Sequence, residues 1–154
     1  MVLLVLLSSY LLVLASVGIQ GCSAKCNGNN KPAFFATLRD IQNLSTNTVL
    51  KFTRVKTNIG YGYDSRNGKF KTPKAGVYEF NTSLITNGDN WLELNLMKNG
   101  EFIARSHSHK SHGSTGTLNV ILKLRKGDEV YIQHPRGFGS IYGWDYSMFF
   151  GHML

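Results

Sequence analysis

The sequence predicts an all-β domain, and three observations carry that expectation. Apolar side chains recur at every second position through most of the chain, Gly- and Pro-containing turn groups separate these runs, and past the first twenty residues no stretch keeps a helical period for long. Successive side chains of a strand leave opposite faces, so each alternating row reads as the core side of one strand. Tyr78, Phe80, Thr82 and Leu84 form the first row, with Glu79, Asn81 and Ser83 facing away. Leu92, Leu94 and Leu96 alternate with Glu93 and Asn95 in the second. Leu118, Val120, Leu122 and Leu124 make a third, Val130 and Ile132 a fourth, and Met148, Phe150 and Leu154 a fifth. Turns fall between them at Asn87-Gly88-Asp89, Asn99-Gly100, Lys126-Gly127-Asp128 and Pro135-Arg136-Gly137. Leu38, Ile41 and Leu44 fit a turn or two of helix that the polar run from Ser45 to Thr48 ends. Many short strands with regular turns mean a sandwich or a barrel.

The stretch GKFKTPKAGVYEF, residues 68–80, shows how one segment is read. Asn67-Gly68 turns the chain, Phe70 ends a short strand, and Pro73 with Gly76 redirects it into the strand carrying Tyr78 and Phe80. Burying each such ring contributes roughly 1.5–3 kcal/mol, so these residues serve shape rather than catalysis.

The first nineteen residues carry no charged side chain and are mostly aliphatic, which reads as a secretory signal peptide over residues 1–21, cut between 18 and 24; an uncleaved signal anchor is the alternative. Residues 22–31 form a short linker holding both cysteines, Cys22 and Cys26, and residues 32–154 are long enough for one domain with its own core. The cysteines precede the first strand, so the fold does not rest on them; they close a small loop or link chains, and Cys26 favours an interchain bond if cleavage removes Cys22. A lone C-x-x-x-C lacks the four ligands of a structural zinc site. The whole formal charge of +8 falls after the leader, which favours anionic partners. Lys51, Arg54, Lys56, Arg66, Lys69, Lys71 and Lys74 share a stretch whose only acid is Asp64, either a solvated basic face or an attractor for anions.

Phe52, Asn58, Tyr63, Phe70, Gly76, Tyr78 and Phe80, at these separations, resemble the signature of the globular head of complement component 1q. KPAFFA at residues 31–36 is similar to the family's opening strand and SMFFGHML at 147–154 to its closing strand, while LNLMKNGE from Leu94 and LRKGDEVYIQ from Leu124 fit its middle hairpins. Phe150 joins Tyr78 among the residues assigned to the core. The resemblance runs from about Pro32 to Leu154 and departs at Thr82, where the family pattern has an aromatic residue. It implies a ten-stranded antiparallel jelly-roll sandwich, tumour necrosis factor-like, assembling as a homotrimer. It also implies a secreted recognition protein, lectin-like and of innate-immune type, or else an adhesive, receptor-binding or matrix component of the same fold, because ligand identity resides in the loops. A calcium ion near the trimer apex is the one cofactor the resemblance leaves open, against a sequence with only nine acids.

Function is sought in the loops. His134 to Tyr146 combines Arg136 with Phe138, Tyr142, Trp144 and Tyr146, rings able to stack on sugar faces beside a cation; the competing expectation is that most of them pack under the final hairpin or between subunits. Lys69, Lys71 and Lys74, the first and second on one strand face, would attract phosphate, sulfate or carboxylate groups. His107, His109 and His112 are weak metal candidates, since no Cys or carboxylate completes the set. Sequons occur at Asn43, in a polar loop, and at Asn81, on the outward face of a strand where a neighbouring subunit would cover it. Enzymatic readings fail: there is no nucleophile elbow, the glycine spacing at 137–143 misses a dinucleotide fingerprint, and Glu79, Glu93 and Glu101 fall at outward positions or beside turns. The expected partners are glycans, lipopolysaccharide and other anionic surfaces, bound multivalently, without nucleic acid and without stable membrane insertion once the leader is removed.

Overall fold

A computed structural model describes residues 30–154, so the expected leader and both cysteines, Cys22 and Cys26, lie outside the described residues. Two antiparallel sheets face each other. The first is ordered β10 (Thr115–Leu124), β7 (Gly76–Ile85), β13 (Met148–Met153), β1 (Ala33–Thr37), β4 (Arg54–Ile59). The second is ordered β5 (Tyr63–Asp64), β6 (Lys69–Lys71), β11 (Glu129–His134), β8 (Leu92–Lys98), β9 (Glu101–Ser108), with β3 (Thr48–Val49) added on β11. A separate ribbon joins β2 (Gln42–Leu44) to β12 (Gly139–Ile141). The jelly roll is as expected; the surplus over ten strands consists of two- and three-residue pieces such as β3 and β5, too short to show a period.

The rows on β7, β8, β10 and β11 face inward as predicted, and their rings and aliphatics meet those of β1. Phe34 is the hub: its ring stacks on Tyr63 at 4.8 Å and Phe70 at 5.0 Å and meets Phe149 edge-on at 5.0 Å. Phe52, Tyr78 and Phe80 complete a fully buried aromatic cluster. Thr82, where the family pattern has a ring, is buried as well, and its hydroxyl donates to the Met148 carbonyl at 2.8 Å, which satisfies the one polar atom the substitution brings into the core.

Three local expectations are corrected. In β13 the inward residues are Phe149 and Gly151, so Phe150 and Met148 lie half-buried on the outer face and Leu154 is exposed at the end. Both faces of this strand carry apolar residues, so alternation gives no phase; Gly151 settles it, lying so close to the Phe80 ring that a Cβ would not fit. Leu38 and Leu44 are buried by an extended chain and β2 rather than by a helical turn. Phe70 is the middle of β6, not its end, because Lys71 still pairs with Glu129 of β11.

β1 and β13 lie side by side, Ala33 opposite His152 and Thr37 opposite Met148. The beginning of β1 and the end of β13 therefore share one pole of the sandwich, and the loops following Thr37, following Ile85 and preceding Met148 gather at the other.

Candidate functional site

The pole opposite Ala33 and Met153 carries a platform of three aromatic rings, Tyr142, Trp144 and Tyr146, on one rigid loop. The loop is fastened by its backbone. Tyr142 N donates to the Ile85 carbonyl at 2.9 Å, Trp144 N to the Arg39 carbonyl at 2.8 Å and Asp145 N to the Leu38 carbonyl at 3.1 Å. Gly143 presses on the Asp40 backbone with no room for a side chain, and Trp144 and Asp145 then take left-handed conformations at φ 50° and 66°. Such strain persists only where the surroundings over-determine it. The Asp145 carboxylate supplies the clamp: the Thr37 hydroxyl donates to one oxygen, and Arg54 reaches the other at 2.5 Å with Lys56 at 3.8 Å. The Thr37 hydrogen bond first, then Arg54, holds this carboxyl below its ordinary value.

Trp144 and Tyr146 remain 58 % and 59 % exposed, with ring centroids 6.1 and 6.2 Å from Tyr142. Tyr142 is half-buried and its hydroxyl meets His112 Nε2 at 2.8 Å. Because Gly88 N–H donates to His112 Nδ1 at 3.1 Å, the neutral ring carries its proton on Nε2 and donates to the tyrosine oxygen. Exposed ring faces held at fixed separation can stack on the C–H face of a sugar at little ordering cost. Burial of most of these rings under the final hairpin is thus not found within the single chain: Phe138, Trp144 and Tyr146 are all exposed.

Arg136 does not join this platform. It belongs to the rim of the second sheet, where its Nε and terminal nitrogen contact Glu93 Oε2 at 3.1 and 3.0 Å and its guanidinium lies 5.5 Å from the Trp91 ring. Glu93 is outward on β8 as predicted, yet only 3 % exposed, because Arg105 at 2.9 Å and Arg136 cover it.

Four of the seven cations in the basic stretch pair with an acid, three of them with one distant in sequence. Lys69 contacts Glu129 at 2.8 Å and lies 4.8 Å from the Tyr131 ring; the hydrogen bond to Glu129 raises its pKa. Arg54 and Lys56 serve Asp145, and Arg66 contacts Asp64 at 2.8 Å. Lys69 and Lys71 do share a face of β6 opposite Phe70, and Lys71 and Lys74 are exposed with no acidic partner among the described residues. The three histidines diverge: His107 and His109 rings are 6.4 Å apart, while His112 turns to Tyr142. Among the described residues no group of three His, Cys, Asp or Glu is placed to hold a metal ion. Asn43 is exposed in β2, not in a loop, and accepts from the Ser140 hydroxyl at 3.0 Å; Asn81 lies half-buried on β7 and donates to Glu79. Sequence reasoning did not single out Asp145 as the loop's clamp or Glu93 as a buried acid, since the Asp145–Arg54 and Glu93–Arg136 pairings each span dozens of residues; the acid inside the aromatic run WDY was the only local sign.

Residues 33–154 match the family described as the C1q domain. The chain is 34% identical over 113 residues to Complement C1q tumor necrosis factor-related protein 3 of Mus musculus, an alignment covering 70% of this chain and 45% of that protein, so the match spans under half the relative's length. Among solved structures, the globular domain of zebrafish complement 1qA superposes with a TM-score of 0.68 at 19% identity, over 81% of this chain and 98% of that one. Eiger TNF from S. frugiperda superposes with a TM-score of 0.70 at 10% identity, over 80% and 92%.

Proposed function

Because this chain belongs to the C1q domain family, we propose that it is a secreted, non-enzymatic recognition protein, a homotrimer whose exposed loops hold carbohydrate or anionic surface ligands. The supporting observation is the platform of Tyr142, Trp144 and Tyr146: a protein that needed these rings only for stability would bury them, whereas here a strained, clamped loop keeps two of them more than half exposed. Trimer formation is supported by the outer face of the first sheet, where Val77 and Ile121 are exposed on the same face as a ring pair of Phe35 and Phe150 at 6.2 Å. Three weak sites on one particle then act together on a repetitive surface. The leader, residues 1–21, would deliver the chain to the cell exterior, glycosylation would fall on exposed Asn43, and calcium at the trimer apex is an accessory of this reading.

The test is a glycan and lipopolysaccharide array probed with purified protein at two salt concentrations, as wild type, as Trp144→Ala, and as the triple change of Lys69, Lys71 and Lys74 to Ala. Stacking predicts binding that persists as the Debye length shrinks from about 8 to about 3 Å and that Trp144→Ala removes. Loss with salt and with the lysines transfers the role to charge. Silence on every array together with capture of one defined protein would replace this reading by the adhesive or receptor-binding one.

A further inference from the structure

A cavity of about 230 Å³ opens at the rim of the second sheet where β8 begins and β11 ends, lined by Asn90, Trp91, Glu93, His134, Arg136 and Phe138 among others. Two of its walls are polar groups removed from water. Glu93 is an acid on an interior strand, engaged through Oε1 by Arg105 and through Oε2 by Arg136. His134 is 1 % exposed; its Nδ1 lies 2.9 Å from the Glu93 carbonyl oxygen, and its Nε2 has no hydrogen-bond partner. A ring nitrogen facing a carbonyl must donate, so the neutral imidazole leaves Nε2 as a bare acceptor. A buried acceptor without a donor costs about 1–3 kcal/mol, which marks this wall of the cleft as polar and strained.

The other walls face solvent. Arg136 spends Nε and one terminal nitrogen on the same oxygen of Glu93, and its second terminal nitrogen has no acceptor among the described residues. Glu93 below and Trp91 beside it orient the guanidinium, so a planar donor edge is presented with little entropy left to lose. One acid against two arginines leaves the cluster one positive charge in excess, favouring an anion. Trp91 and Phe138, 46 % and 84 % exposed, add ring faces at the same opening. The volume lies below the roughly 300–1,000 Å³ of drug-sized pockets and suits a single small ring.

We propose that this cleft binds one six-membered sugar ring bearing a carboxylate, with Arg136 receiving the carboxylate and Trp91 and Phe138 the ring face. The site depends on the recognition reading for its ligand class, yet it is separate from the 142–146 platform.

The sequence contains two tryptophans, and one belongs to each site, so each can be watched alone. Glucuronate titrated into purified Trp144→Phe protein is expected to change Trp91 emission saturably, with Kd in the range of about 1–10 mM. Arg136→Ala and Arg136→Gln, whose side chain is largely exposed and whose folding is checked by circular dichroism, should each weaken binding at least about tenfold. Esterifying the carboxylate should weaken it similarly. No saturable change, an undiminished response in both Arg136 variants, or equal binding of the ester overturns the site. A sugar response in the converse Trp91→Phe protein with none in Trp144→Phe overturns this cleft while leaving the platform standing, and the opposite pattern does the reverse.

Discussion

Asn58 and Tyr63 exchange two hydrogen bonds across the turn between β4 and β5: the Asn58 amide donates to the Tyr63 carbonyl at 2.8 Å and accepts from the Tyr63 N–H at 3.1 Å. One side chain thus does for this turn what a strand partner does in a sheet. It places the Tyr63 ring against Phe34 and brings the phenol to the Phe52 backbone, where it accepts from N–H at 3.0 Å and donates to the carbonyl at 3.3 Å. Burial pushes that phenol well above its ordinary value, so it remains a neutral donor throughout the accessible pH range.

Asn58→Ala removes both bonds and leaves two Tyr63 backbone groups at a buried site without partners. A loss of about 1–3 kcal/mol is expected in urea unfolding. Asn58→Asp, which restores the acceptor but not the donor, should recover part of it.

Gly143→Ala should be costlier than its size suggests, because the new methyl meets the Asp40 main chain rather than a side chain able to move. We expect about 1–3 kcal/mol of destabilisation together with altered Trp144 emission and lost platform binding. Gly137→Ala, in open space yet at φ +79°, serves as the comparison: backbone strain without collision.

Acid should loosen the platform. The folded-state pKa of Asp145 is depressed below 3.8, so its contribution to stability is complete above that value and is lost as pH falls through the lower, folded one. Asp64, drawn down to about 2 by hydrogen bonds from Arg66, titrates in the same direction. Melting temperature recorded from pH 5 to pH 2 should therefore fall, and Asp145→Asn should both lower the starting value and flatten the slope. An unchanged slope in that variant would contradict the clamp.

Adjacent residues of β13 should part company. Phe149→Asp places a charge within the aromatic core and should unfold the domain, a cost of 4 kcal/mol or more. Phe150→Asp touches only the outer face; it should leave the fold intact and reduce a trimer to monomers in sedimentation.

Most of the scaffold was readable from alternation because each of β7, β8, β10 and β11 pairs one apolar row with one polar row. β13 was misphased because Met148, Phe149 and Phe150 are all apolar, and only contact with Phe80 at Gly151 distinguishes the faces. The candidate site was legible as a composition and not as an arrangement. Arg136 and Trp144 are eight positions apart, yet Glu93 draws one to the sheet rim and Asp40 and Thr37 seat the other at the pole. The apparent run of cations from Lys51 to Lys74 is likewise thinned by Glu129 and Asp145, which arrive from remote segments to engage Lys69, Arg54 and Lys56. Electrostatic partners of this kind have no local code, because a sheet brings together residues whose separation in the chain is set only by topology.

The seat of β13 between β1 and β7 has a temporal meaning. The six residues Met148–Met153 leave the ribosome after both of their partner strands, and until they emerge the sheet that holds them has a gap at its centre, with two unpaired edges exposed to neighbouring nascent chains. The domain can therefore close only once β13 has been made, and a chain cut short before Met148 would aggregate rather than persist as a slightly smaller domain.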